Sequence, residues 1–300
     1  MKTLTRLVLA AALCLGLLAS AALAGETMDK IEKSGKFKVG FREDSTPFAF
    51  IDPKVGKQVG FSVDMAHYVA GMLSQRFGKK IEVEYHTITT KTRIPLLVNG
   101  TIDAEFGSTT YTQEREQVVD FSDVFFFSDT TFLVAKDSPI KTKADLTGKR
   151  LAAAQGTTNL KAMEEQSKAG EYKPKEIISV EGHAQGFLAL KTGKVDAYAT
   201  DRSLLMGLAS KDEKPDNWRT LDFGIAFEPY GYMMRENNSD FRDFVNDSIR
   251  WAVKTGKFFE FYDKWMGPKG MTPMPMTDWY KTYLKMLVYP MGEGWWKKKS

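Results

Sequence analysis

The 300-residue sequence predicts an α/β fold, on two patterns and a composition. Short apolar runs with strand character alternate with stretches of helical spacing, as expected for strands joined by parallel-type crossovers. The chain is 43% hydrophobic, 12% aromatic and 27% charged, a composition that argues against disorder. Its length suits roughly two domains of ordinary size with substantial cores.

The N-terminus stands apart from that pattern. Lys2 and Arg6 make a short basic start, Leu7 to Ala22 is apolar or small, and Ala22-Leu23-Ala24 has a small-x-small cleavage pattern. Residues 1–24 therefore read as a secretory signal peptide, with a mature chain beginning near Gly25 and working in a periplasm. No other apolar run is long enough to span a membrane. The single cysteine, Cys14, follows a bulky Leu13 and sits too early for lipid attachment, so it is expected to leave with the signal. A mature chain without cysteine excludes a disulfide scaffold, Cys-based metal sites and a thiol nucleophile. The formal charge of +4 falls further once Lys2 and Arg6 leave, and the bases alternate with acids, which gives no support to a nucleic-acid partner.

Along the mature chain, Phe37 to Phe41 alternates like a strand. Residues 60–77 have helical spacing, with Met65, Val69 and Met72 on one face. Residues 81–85 alternate again. Arg93 to Val98 reads as a short helix, with Pro95 tolerated in its first turn and Gly100 past its end. A brief strand follows at 103–106. Further strands are expected at 131–135, 150–153, 177–180 and 197–200, with helices at 160–166 and 184–191 between them. Residues 240–253 and 258–266 read as amphipathic helices. After Pro268 the composition shifts to Met, Pro and Trp and ends in Lys297-Lys298-Lys299, which reads as a docked appendage with a solvated end. There is no internal repeat and no low-complexity tract.

The motifs of common enzymes are absent. There is no G-x-S-x-G elbow, no glycine-rich nucleotide loop, and no metal-ligand spacing among His67, His86 and His183. What recurs instead is arginine and hydroxyl residues at the ends of predicted strands. Arg42 follows the first strand, and Thr90 and Arg93 lie between a strand and a short helix. Ser108, Thr109 and Thr110 precede Arg115, Gly156-Thr157-Thr158 precedes a helix, and Asp201 closes a strand. In open α/β sheets, ligands bind beyond the carboxyl ends of strands, where helix N-termini offer N–H groups. Arginine suits that place because its planar fork grips a carboxylate bidentately and stays charged. Each residue also has a plainer reading: Arg115 as a surface ion pair between Glu114 and Glu116, Thr157 and Thr158 as helix caps, Asp201 as a solvated partner of Arg202, and His183 as a cap or surface residue.

Taken in order, the segments 40–48 (Gly-Phe-Arg-Glu-Asp-Ser-Thr-Pro-Phe), 92–103, 107–110, Glu114-Arg115, 119–123, 156–158 and 214–218 resemble the periplasmic solute-binding proteins of polar amino-acid ABC importers. The resemblance is closest to the glutamate/aspartate-binding branch and runs from about Met28 to Met266, with the tail similar to that branch's C-terminal extension. It implies an α/β, two-lobed periplasmic-binding-protein (type II) fold, with a mixed sheet flanked by helices in each lobe and a two-strand hinge. Residues 25–126 and 231–268 would form lobe 1, residues 127–230 lobe 2, and residues 269–300 the extension. Arg115, Ser108 and Thr110 would hold the ligand α-carboxylate, Thr158 would add a donor from the second lobe, and Asp201 would accept from the α-ammonium group. Arg42, Thr90, Arg93 and His183 would surround a side-chain carboxylate.

That assignment matches a ligand with two carboxylates and one ammonium: three arginines stand against one aspartate, and His183 is expected to donate a further hydrogen bond. Two departures from the branch's pattern are Thr90 in place of a frequent serine and Phe106 beside Gly107 where a smaller residue or cysteine is common. The expected function is capture of glutamate or aspartate between the lobes and delivery to an ABC permease with its separate ATPase. The protein would be a monomer that catalyses nothing and uses no cofactor or metal. Broader binding of glutamine and asparagine is one alternative. Another is a periplasmic dehydratase on the same fold, which would need a general acid in the cleft where the motifs supply arginines and one aspartate. A third, a sensory module, lacks any signalling domain in this chain.

Overall fold

The computed structural model describes residues 26–297; the expected signal peptide lies outside those residues. The chain opens with α1 (Glu26–Ser34) and β1 (Lys36–Phe41), followed by three short strands, β2 (Asp44–Ser45), β3 (Ala49–Asp52) and β4 (Lys57–Val59). Next come α2 (Phe61–Phe77), β5 (Glu82–Thr87), α3 (Arg93–Val98), β6 (Ala104–Glu105), α4 (Gln113–Glu116) and β7 (Val119–Phe121). The long β8 (Phe126–Ala135) leads into β9 (Arg150–Ala154), α5 (Thr158–Lys168), β10 (Glu176–Val180), α6 (His183–Lys191), β11 (Ala197–Asp201) and α7 (Arg202–Ser210). The chain then runs through β12 (Trp218–Thr220), β13 (Ala226–Tyr230), β14 (Met233–Arg235), α8 (Ser239–Lys254), α9 (Lys257–Met266) and α10 (Asp278–Met286).

Two mixed sheets organise these elements, as the α/β expectation requires. One has the order β5-β1-β6-β14-β7; the other runs β10-β9-β11-β8-β12, with β13 also paired to β8. In each, three strands are parallel and an antiparallel strand adjoins them: β14, from late in the chain, beside β6, and β8, the first strand of its sheet, beside β11. The period-two alternation explains how both faces of the second sheet are buried. Phe132, Val134, Leu151, Ala153, Ala197 and Ala199 enter one core, while the intervening Leu133, Ala152 and Tyr198 enter another. The first sheet packs Phe37, Val39 and Met234 into the largest core with α2, α8 and α9, and Ile102, Val119 and Met233 into a smaller one around α3. Two chain passages join the sheets, β8 and β13, which pair antiparallel from Phe126↔Tyr230 to Thr130↔Ala226.

The structure departs from the sequence expectations in identifiable places. β8 begins at Phe126 rather than 131, because Ser128, Asp129 and Thr130 satisfy their backbone through β13 and need no apolar alternation. β5 occupies 82–87 rather than 81–85, in register with β1 from Lys36↔Glu82 to Phe41↔Thr87. α7 starts directly after β11 with no intervening loop, so no turn signal announces it. The tail contains α10, whose Tyr280 and Leu284 are buried in the main core, and the docking extends to Trp295 and Trp296, half-buried against Phe244 and Trp251. Among the described residues, no helix is long and apolar enough to cross a membrane.

Candidate functional site

The loops at the carboxyl ends of the parallel strands in the two sheets meet one another. From the first sheet, β1 leads to Arg42, the loop after β5 delivers Thr90 and leads to Arg93 at the start of α3, and the loop after β6 delivers Ser108, Thr109 and Thr110, with Arg115 on α4 beyond. From the second, β9 leads to Gly156 and to Thr158 at the start of α5, β10 to His183 at the start of α6, and β11 ends on Asp201. Thr157 caps α5, its hydroxyl accepting from the Leu160 N–H at 3.1 Å. Gly156 is required where it stands: its φ is +71°, and a Cβ there would lie 3.0 Å from the Thr90 carbonyl oxygen.

All nine residues named from the sequence gather here, and several bond across the two sides. Arg42 is only 2% exposed; its Nη1 donates to His183 Nε2 at 2.9 Å, and its Nη2 donates to the Ser108 carbonyl at 3.1 Å and to the Ser108 hydroxyl. Arg93, also 2% exposed, donates to Thr109 Oγ1 at 2.6 Å and reaches the Gly156 carbonyl at 3.5 Å. Arg115 donates to the Thr110 carbonyl at 2.7 Å and to the same Gly156 carbonyl at 3.4 Å. The Thr90 hydroxyl donates to the Gln155 carbonyl at 2.7 Å. Burial, and then the positive charges of Arg115 and Arg42, push the pKa of Arg93 down. That is the signature of guanidinium groups crowded together out of water. A cleft of about 990 Å³ opens onto Thr110, Arg115, Gly156, Thr158 and Glu228.

Two sequence-based expectations about this region do not hold. His183 has no N–H to spare for a ligand. Arginine can only donate, so Nε2 must accept from Arg42, which leaves the Nδ1 proton to the Tyr198 hydroxyl 2.8 Å away. Burial, reinforced by Arg42 and Arg93 against the opposing pull of Asp44, holds this imidazole neutral, with its pKa pushed down to about 4. Nor does one aspartate face three arginines. Glu105 and Glu228 are both fully buried in the cluster, and Asp44 receives the N–H groups of His183 at 2.7 Å and Ala184 at 3.2 Å at the start of α6. For Asp44, burial favours the neutral acid, but His183, Arg42 and these two N–H groups outweigh it and draw the pKa down.

Glu105 accepts no hydrogen bond among the described residues, yet its charge offsets those of Arg93 and Arg115. Gly107 makes room for it, since a Cβ there would stand 2.2 Å from a Glu105 carboxylate oxygen. Asp201 is pushed up to about 7, first by burial and then by Glu228, although Tyr230 and Asn159 hydrogen-bond to it. A carboxylic acid half-protonated near neutrality is thus present in the site, and the absence of a spare acid no longer excludes acid chemistry. The signal that could have found these groups is an acid set inside an otherwise apolar strand, Ala104-Glu105-Phe106 and Ala226-Phe227-Glu228. Among the described residues, no group of His, Cys, Asp and Glu is arranged to hold a metal ion.

The profile of the bacterial extracellular solute-binding proteins, family 3, matches residues 37–268. The glutamate/aspartate import solute-binding protein of Salmonella typhimurium is 38% identical over 246 residues, covering 81% of this chain and 80% of that protein. The glutamine-binding protein of Geobacillus stearothermophilus is 40% identical over 206 residues, 68% of this chain and 74% of that one. Among solved structures, a mutant of ArgBP from T. maritima superposes with a TM-score of 0.70 at 32% identity, over 80% of this chain and 98% of its own.

Proposed function

Because the chain belongs to the bacterial extracellular solute-binding proteins of family 3, we propose that it captures glutamate or aspartate between its two lobes. It is the substrate-binding component of an amino-acid ABC importer, working in the periplasm and delivering its ligand to a membrane permease and ATPase. The observation that carries the acidic ligand is the convergence of Arg42, Arg93 and Arg115 in one cluster where the two sheets meet, their donors met by backbone carbonyls and hydroxyls. In this reading, Arg115, Ser108, Thr110, Thr158 and Asp201 hold the ligand's main-chain carboxylate and ammonium. Arg42, Arg93 and Thr90 surround the side-chain carboxylate, with His183 fixing Arg42. Lobe 1 comprises residues 25–126 and 231–268, lobe 2 comprises residues 127–230, and the protein turns over nothing.

The similarity to a glutamine-binding protein supports a broader specificity as the second reading. Calorimetric titration of ligand-stripped protein with glutamate, aspartate, glutamine and asparagine separates the two. Glutamine keeps the acceptor oxygen but not the charge, so the acidic reading expects it to bind at least about tenfold more weakly, roughly 1.4 kcal/mol. Equal affinity for glutamine would discard the acidic pocket and keep the transport role. Arg115→Ala is expected to weaken binding of every amino acid by about a hundredfold or more; unchanged affinity would overturn the site assignment. Incubation with a prephenate-like substrate, followed by absorbance, tests turnover directly and is expected to show none.

A further inference from the structure

The threonine hydroxyls at the cleft have a direction, and Glu228 sets it. Glu228 is fully buried in β13, and its Oε2 accepts from the hydroxyls of both Thr110, on the first sheet's side, and Thr158, on the second's, the latter at 2.8 Å. Its Oε1 accepts from the Thr130 hydroxyl, with Asn159 Nδ2 3.4 Å away. A threonine hydroxyl has one proton and two lone pairs, and a carboxylate can only accept. The two Oγ1 atoms lie 3.3 Å apart, but the carboxylate outcompetes either neighbouring hydroxyl for both protons, because a charged acceptor makes the stronger bond. Thr110 and Thr158 therefore keep only lone pairs for the cleft they line. Asp201 belongs to the same network, since Asn159 Nδ2 donates to it at 2.8 Å and to Thr130 Oγ1 at 2.7 Å.

We propose that Glu228 is a positioning residue for the ligand's ammonium group. By drawing the hydroxyl protons of Thr110 and Thr158 to itself, it turns their oxygens into acceptors that form, with Asp201, the ammonium-binding face. The α-carboxylate is left to Arg115 and to N–H donors. This rests on the amino-acid-binding reading above and reverses one role expected from the sequence: Thr110 and Thr158 accept from the ligand rather than donate to it.

The test is calorimetric titration with glutamate and with glutarate, the same diacid without the ammonium group, the latter read by displacement of glutamate where it binds weakly. The proteins are wild type, Glu228→Gln, Thr110→Val and the double variant. Glutamine in place of Glu228 removes the charge and leaves one neutral acceptor oxygen beside an amide donor, so the hold on the two hydroxyl protons is loosened. Glu228→Gln is expected to weaken glutamate about tenfold and glutarate less than about threefold, and to lose most of its effect in the Thr110→Val background. An equal loss for both diacids, or effects of Glu228→Gln and Thr110→Val that simply add, overturns the proposal. Should thermal unfolding show that Glu228→Gln does not fold, Thr110→Val alone decides: it must weaken glutamate selectively over glutarate, and an unchanged ratio refutes the role. A wild-type protein that binds no amino acid refutes the underlying reading instead, a separate outcome.

Discussion

Asp201 is the residue whose environment has the most direct experimental consequence. Its carboxyl is raised to about 7 by burial and then by Glu228, so the folded protein holds a proton that an unfolded aspartate has lost by about pH 4. The sign follows from linkage. Between about pH 4 and about pH 7 the native state binds more protons than the unfolded state, so this group's contribution to stability falls as pH rises through that window and is flat above it. An ammonium ligand favours the ionised form. Glutamate affinity is therefore expected to rise from about pH 6 to about pH 8, with proton release detectable by calorimetry in buffers of different ionisation heat. A flat profile with no proton release would remove Asp201 from the ammonium site. His183 acts on stability with the opposite sign: its folded pKa is about 4 and its ordinary value about 6.5, so between them the unfolded state binds the extra proton and this contribution rises with pH. The neutral native imidazole takes no part in the affinity change from about pH 6 to about pH 8.

The elements show why residues far apart in sequence can act together. Arg42, Gly156, His183 and Asp201 occupy equivalent places in their own βα units, each just beyond or at the end of a parallel strand, so two sheets facing one another close a single ring of polar groups. β8 and β13 carry the chain between the sheets, and α10 braces the first of them. The Tyr280 hydroxyl donates to the Phe125 carbonyl, and the Tyr283 hydroxyl to the Val124 carbonyl at 2.8 Å, just before β8 begins. Leu284, fully buried on the same helix, anchors that brace in the main core. Leu284→Ala is expected to cost about 2–5 kcal/mol by denaturant unfolding, the range for emptying a buried leucine site. A loss within experimental error would mean that α10 is a detachable appendage and no part of the cooperative fold.

The whole molecule is held in the closed arrangement by polar bonds across the cleft. These run from Thr90 to Gln155, from Arg93 and Arg115 to Gly156, from Arg42 to His183 and from the α6 N–H groups to Asp44. Hinge closure around a ligand adds the ligand's own contacts to that set, so ligand shifts the population toward the closed form. Saturating ligand is accordingly expected to stabilise the protein by about 2.7 kcal/mol at a hundredfold excess over Kd, seen as a rise in Tm. Small-angle scattering is expected to show the radius of gyration falling as glutamate is added. An unchanged radius would mean that the lobes do not open, and that ligand enters by another route.

Sequence alone determined the α/β class, the order of most strands and helices, and which arginine and hydroxyl residues stand at strand ends, because each rests on local periodicity or on residue types within a few positions. Phe37 to Phe41, residues 60–77 and Arg93 to Val98 were legible since alternation, helical spacing and glycine stops are written within a few residues. Tertiary structure alone decided the site's charge balance and the direction of its hydrogen bonds. Glu105 and Glu228 look like ordinary acids until two strands bury them among arginines and threonines. His183 looks like a donor until Arg42, which can only donate, takes its free nitrogen. Charge and hydrogen-bond polarity depend on what stands within a few ångströms in space, and Arg42 and His183, bonded here, are 141 residues apart in sequence.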